Sequence, residues 1–267
     1  MNRQLRLTRL LELVTAQGFV TIDDLVDSLE VSAATARRDV EYLANQQLLT
    51  RTRGGAMANA TSGEIPLGMK ATKRSREKKA IAAAVAAQVK PGQVIALNGG
   101  TTATACAYEI GIATAAEEAF TRTPLTVVTN AVNIANDLVV RPGVRLVVIG
   151  GVARAQSYEL IGPLAEPMLR NIDIDTFYIG ADAVDPQRGL YTHNDGEAAI
   201  NSRLVQAARH TVAITDSSKF TTSAFAHICN ISHLAALITD NGISDEQLAA
   251  LQERTEVLLV DPAANNS

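Results

Sequence analysis

Along the first fifty residues the apolar positions recur at helical spacing, broken at short intervals by turn and capping residues. Leu5, Leu7, Leu10, Leu11, Leu13 and Val14 form one stripe, and Gly18 ends it. Thr21 with Asp24 three residues on has the form of a capping box, in which each side chain accepts the other residue's orphan backbone N–H. Leu25, Val26 and Leu29 follow as a second, short apolar face. Ser32 is a good N-cap for a third helix, in which Ala36, Val40 and Leu43 share one face while Arg37, Arg38 and Glu41 fall off it. The stretch "L48-L-T-R-T-R-G-G-A56" then alternates and closes on two glycines. The pattern predicts three helices and a small β hairpin, or wing.

Beyond Ala80 the period changes. Short apolar runs at 94–97, 125–129, 144–149, 176–180, 211–215, 234–239 and 257–260 each lead into Gly, Asn or Asp and then a helix-like stretch. Such alternation predicts an α/β domain with a parallel, doubly wound sheet. Ligands are expected outside the C-terminal ends of its strands. Residues 58–79 between the two patterns are polar and basic and read as a linker. The expected division is therefore 1–57, 58–79 and 80–267, with 264–267 a loose tail.

Composition narrows the class without redirecting it. The 267 residues are 47% hydrophobic and 19% charged, as in ordinary globular proteins. No run approaches the ~18 apolar residues of a membrane helix, and the cationic N-terminus lacks a signal-peptide core. No membrane partner is expected, and the cytoplasm is the expected compartment. Cys106 and Cys229 belong to no C-x-x-C pattern, and the histidines form no metal motif, so neither metal nor cofactor is expected. The net charge of −4 is uneven: the chain is net basic through Lys79, with the excess in Lys70, Lys73, Arg74, Arg76, Lys78 and Lys79, and net acidic after it.

The candidate chemistry follows from this layout. Two short helices joined by a tight turn, the second presenting Ala34, Thr35, Arg37 and Arg38, have the form of a helix-turn-helix for double-stranded DNA. The start of a recognition helix enters the major groove, where its dipole and its arginines favour the same anion. Thr21, Ser32 and the wing arginines Arg51 and Arg53 are the further candidate contacts. The plain alternative is a solvated Arg-Arg pair.

In the second part, "N98-G-G-T-T102" offers glycines for close approach and hydroxyl and N–H groups for an anion. It is neither a Walker loop nor a dinucleotide fingerprint. Gly100–Thr102 with Lys219 suit a phosphate; Asn130, Asp182 and Glu197 suit sugar hydroxyls. Each has a structural alternative: Asn130 as a helix cap, Gly150-Gly151 as a bend in the chain.

"V31-S-A-A-T-A-R-R-D-V-E-Y-L43" with "R51-T-R-G-G-A56" closely resembles the winged helix of the DeoR family of bacterial sugar-metabolism regulators. The succession "LNGGTT", "TN", "GG", "GADAVD", residues 189–197 and "DSSK" resembles that family's sensor domain, whose fold is related to ribose-5-phosphate isomerase. The resemblance implies that Gly100, Thr101 and Thr102 hold an effector phosphate. It implies further that Asn130, Gly150, Gly151, Asp182, Thr192, Glu197 and Lys219 line the rest of a sugar-phosphate pocket. Asn98 stands where the family usually has Asp, and Ala183 where Gly is common. The expectation is a transcription regulator rather than an enzyme: a repressor of a carbohydrate-utilisation operon, a homodimer or homotetramer, released by a phosphorylated sugar. The alternative is a sugar-phosphate isomerase with an accessory domain, using Asp182, Glu197 and Lys219; the winged helix argues against it. A sugar-phosphate-binding protein that never touches DNA is opposed by the same arginines.

Overall fold

The computed structural model describes residues 2–46, 48–58 and 74–263, and the chain divides after Lys73 into two compact units. Residues 59–73 of the expected linker and the 264–267 tail lie outside the described residues.

The first unit runs α1 (Arg3–Gln17), β1 (Phe19–Thr21), α2 (Ile22–Leu29), α3 (Ala33–Asn45), β2 (Leu49–Arg51) and β3 (Gly55–Ala58). Asn2 caps α1 by accepting the Leu5 N–H at 2.9 Å, and Gly18 ends it at φ +76°. The capping box at the start of α2 is present: Thr21 Oγ1 accepts the Asp24 N–H at 3.1 Å, and Asp24 accepts the Thr21 N–H at 3.3 Å. Ser32 accepts the Thr35 N–H at 3.3 Å and so opens α3. Leu7, Leu10, Leu11 and Val14 pack with Leu25, Leu29, Ala36, Val40, Leu43, Leu49 and Ala56 in one core. Leu5 departs from the predicted stripe and is 46% exposed, because two residues on a helix are about 200° apart and Leu7 holds the buried side. The hairpin gains a third strand: the antiparallel order is β1-β3-β2, and three-residue β1 is too short to show alternation.

The second unit opens with α4 (Ser75–Ala86), β4 (Val94–Leu97), α5 (Thr101–Ala116), α6 (Glu118–Arg122), β5 (Leu125–Thr129), α7 (Val132–Leu138) and β6 (Val144–Val148). It continues with β7 (Val152–Ala153), β8 (Leu160–Ile161), α8 (Glu166–Leu169), β9 (Ile174–Ile179), β10 (Ala183–Asp185), β11 (Gly189–Thr192) and α9 (Asp195–Ala207). It closes with β12 (Ala208–Ile214), β13 (Ala226–Cys229), β14 (Ala236–Asp240), α10 (Asp245–Gln252) and β15 (Glu256–Val260). Residues 75–79, read as linker from their charge, belong instead to α4: they form the first turn of a helix whose face Ala80, Ile81, Ala82 and Val85 is buried.

All seven apolar runs become strands of one sheet in the order β15-β14-β12-β9-β4-β5-β6, every neighbouring pair parallel. Alternate residues of a strand go to opposite faces. Ile95 and Leu97 join the core formed with α4, α5 and α7, while Ala96 joins the core formed with α8, α9 and α10. The chain winds outward from β4 to β6 on one side and from β9 to β15 on the other. The order therefore reverses between β4 and β9, the topological switch point. Two short additions lie outside the sheet: the β7–β8 hairpin and the antiparallel trio β10-β11-β13. Among the described residues no helix is long and apolar enough to cross a membrane.

Candidate functional site

In the first unit, Ala34, Arg37 and Arg38 are exposed on the early part of α3 and Thr35 is half-buried. Arg38 is steadied on its own helix, donating from Nε to the Ala34 carbonyl at 3.2 Å. Among the described residues neither arginine is in an ion pair with an acidic side chain. Asp39, the next residue, turns inward and is 3% exposed. It accepts from Arg6 Nε at 2.5 Å and Nη2 at 3.3 Å, a two-pronged contact between α1 and α3. The hydrogen bond to Asp39 raises the Arg6 guanidinium above its ordinary pKa, outweighing the opposite effect of burial. This pair fixes how α3 sits on α1, and the sequence reading missed it.

Arg51 and Arg53 are exposed on the wing, Arg51 loosely beside Glu41 at 3.7 Å. A Cβ on Gly55 would lie 2.1 Å from the Val20 carbonyl oxygen, so the wing closes on β1 only because that residue is glycine. Thr21 and Ser32, also expected at the DNA, have their hydroxyls engaged as helix caps.

In the second unit the predicted effector residues gather at the switch point. Asn98, at the end of β4, donates from Nδ2 to the Gly180 carbonyl at 3.0 Å and accepts the Gly180 N–H at 2.8 Å. Both halves of the amide thus clamp the tips of β4 and β9. A carboxylate there would keep the N–H contact and lose the donor, so the Asn98 departure acts on the frame of the site. Gly100 stands at φ +115° before α5, and no side chain caps that helix. Its first N–H groups therefore have no capping side chain, beside Thr101 and buried Thr102. Gly151 admits β8: a Cβ on it would lie 2.7 Å from the Ile161 carbonyl oxygen, whereas one on Gly150 would meet open space. Ala183 is buried in β10, opposite Tyr191.

The polar residues form a connected network. The Thr192 hydroxyl lies 3.0 Å from Asp182 Oδ2 and 2.8 Å from Glu197 Oε2, with a single proton to share between them. Buried Glu197 pairs with Arg154 at 2.9 Å. Lys219 lies on the Ser217–Thr221 turn after β12, and the Thr222 hydroxyl ties that turn to the Asp182 carbonyl at 2.9 Å. Asn130 is fully buried and donates to Glu159 at 2.9 Å.

Glu159, Arg154 and Asn201 were not foreseen. Glu159 is 3% exposed, accepts from Asn130 and from Asn201 at 3.3 Å, and packs where a Gly99 Cβ would be. Burial, then the nearby Glu197 charge, push its carboxyl up to about 8. Arg154 and Glu159 stand in a turn between two-residue strands, where no periodicity marks them. Asn201 follows Glu197 by four residues on one helix face, a spacing that was readable. Among the described residues no cluster of three or more His, Cys, Asp or Glu could hold a metal. Cys106 and Cys229 are buried thiols whose pKa burial raises, which makes them poor nucleophiles.

Residues 6–62 match the DeoR-like helix-turn-helix domain and residues 73–241 the DeoR C terminal sensor domain. A protein of Escherichia coli O157:H7 named as an aga operon transcriptional repressor is 33% identical over 96% of this chain and 93% of its own length. The glycerol-3-phosphate regulon repressor of Escherichia coli K12 is 30% identical over 90% of this chain and 92% of its own. Among solved structures, ribose-5-phosphate isomerase A of Methanocaldococcus jannaschii aligns with a TM-score of 0.40 at 22% identity, over 54% of this chain and 53% of that one. With both domains matched in order, the chain belongs to the DeoR family of DNA-binding transcription regulators.

Proposed function

We propose that the protein represses a carbohydrate-utilisation operon in the cytoplasm, holding a double-stranded operator through its first unit and releasing it when a phosphorylated sugar binds the second. The observation that carries the DNA half is the early part of α3, where Arg37 and Arg38 face outward while Asp39 and Arg6 fix the helix from behind. The first half of α3 enters the major groove; Arg37 and Arg38 meet phosphates and guanine edges, and Arg51 and Arg53 follow the backbone with the wing. A homodimer or homotetramer sets two such helices on half-sites spaced by whole turns of DNA.

Support for the effector half is the uncapped start of α5 at the switch point, beside Asn130, Asp182, Thr192 and Glu197. Phosphate takes the N–H groups of Gly100, Thr101 and Thr102 with Lys219 as the cation, and the sugar hydroxyls take the carboxylates and amides. One relative is named for the glycerol-3-phosphate regulon, a phosphorylated polyol, in keeping with that ligand class. Effector binding favours a conformation whose helices no longer match the half-site spacing, through its different affinity for the two states. Lys219→Ala tests the assignment. The variant should hold operator DNA as wild type does and fail to release it with any sugar phosphate; normal release would remove Lys219 from the site.

A further inference from the structure

Glu159 is a buried carboxyl at the switch point whose position the effector reading does not use. The β7–β8 hairpin carries it into the loop that opens α5, where its stem and carboxyl fill the space a Gly99 Cβ would need, 2.4 Å from Cγ and 2.6 Å from Oε1. The groups that hydrogen-bond its carboxyl are neutral. Asn130 comes from the end of β5 and Asn201 from α9, both neutral; Glu197, also from α9, is an anion whose partner is Arg154. Asp182 stands behind them through Thr192, and Lys219 lies on the turn that Thr222 ties to Asp182. Among the described residues no ion pair includes Glu159. Asn130 and Asn201 each keep one buried, unpartnered amide oxygen, an acceptor that a protonated Glu159 reaches by a half-turn of the amide.

An anion at the start of α5 therefore arrives beside a buried carboxyl. Two negative charges side by side away from water disfavour each other, and the carboxyl is the one that can take up a proton. We propose that Glu159 is a proton-linked gate on the anion loop: the phosphate-bearing ligand binds only while the Glu159 carboxyl carries a proton, so that binding takes up one proton as the carboxylate becomes the acid. The proposal rests on the sugar-phosphate reading of the site and adds to it the residue that decides at which pH the loop accepts its ligand. Glu159→Gln, which keeps the shape of the neutral acid, should hold the loop permanently open to anions.

The test is calorimetric titration of the full-length protein with inorganic phosphate and with a panel of pentose and hexose phosphates between pH 6.5 and 9.5. It is run in two buffers of different ionisation enthalpy. For wild type, the dissociation constant should rise by about tenfold per pH unit once the carboxyl is ionised, with close to one proton taken up per ligand at the alkaline end. Glu159→Gln should show neither the slope nor the uptake. The proton count on wild type stands even if the variant does not fold. Equal pH profiles for the two proteins, or no proton uptake by wild type, would overturn the gate alone. If no phosphate compound binds either protein at any pH, the gate falls together with the sugar-phosphate reading.

Discussion

Arg38 and Asp39 are neighbours in sequence and point in opposite directions: one faces outward into solvent, the other inward to Arg6. Replacing Arg37 or Arg38 by Ala should weaken operator binding by roughly 1–3 kcal/mol and lower its salt dependence, with the fold intact by circular dichroism. Operator affinity unchanged in both variants would contradict the assignment of α3. Arg6→Ala acts through the fold instead. It leaves a buried carboxylate unpaired and should destabilise the first unit by about 3 kcal/mol in urea unfolding. These residues also mark what was legible in the sequence. Thr21–Asp24 and Ser32–Thr35 lie three residues apart, and local spacing exposes such caps. The Arg6–Asp39 pair spans 33 residues and Asn130–Glu159 spans 29, and a single chain read without alignment holds no sign of either.

At the scale of elements, the wing depends on one absent atom. Gly55→Ala would drive a Cβ to 2.1 Å from the Val20 carbonyl oxygen, and both neighbours are strand backbone that cannot yield. A loss of about 3 kcal/mol from the first unit is expected in thermal unfolding, with the second unit's transition unmoved. Gly54 meets nothing within 4 Å, so Gly54→Ala is the control and should be far milder. The five inner sheet strands were legible because strands buried on both faces read as continuous apolar runs, and the edge strands β6 and β15, part-exposed, keep the same apolar run. β7, β8 and the trio β10-β11-β13 were not, since two to four residues cannot establish a period. The missed hairpin is what brings Arg154 and Glu159 beside the candidate residues, and those two carry no local motif of the kind that marked Asp182, Thr192 and Glu197.

At the scale of the whole molecule, a buried acid with a raised pKa makes stability depend on pH in a direction opposite to that of a salt-bridged carboxylate. Folded Glu159 holds its proton up to about pH 8, whereas in the unfolded chain the carboxyl releases it near 4.5. The folded state therefore binds more protons in that window, and the group's contribution to stability is full below it and is lost as pH rises through it. The unfolding free energy of Glu159→Gln minus that of wild type should climb by about 1.4 kcal/mol per pH unit inside the window and level off on either side. A flat difference would mean that Glu159 is ionised in the folded protein.

The central claim joins the two units: DNA held by one and released through the other. Fluorescence anisotropy of the DNA upstream of the protein's own operon, titrated at two salt concentrations with and without a panel of sugar phosphates, tests it most directly. The account predicts tight, salt-sensitive binding that one phosphorylated sugar relieves and its unphosphorylated form does not. Specific binding that no sugar phosphate relieves would contradict it.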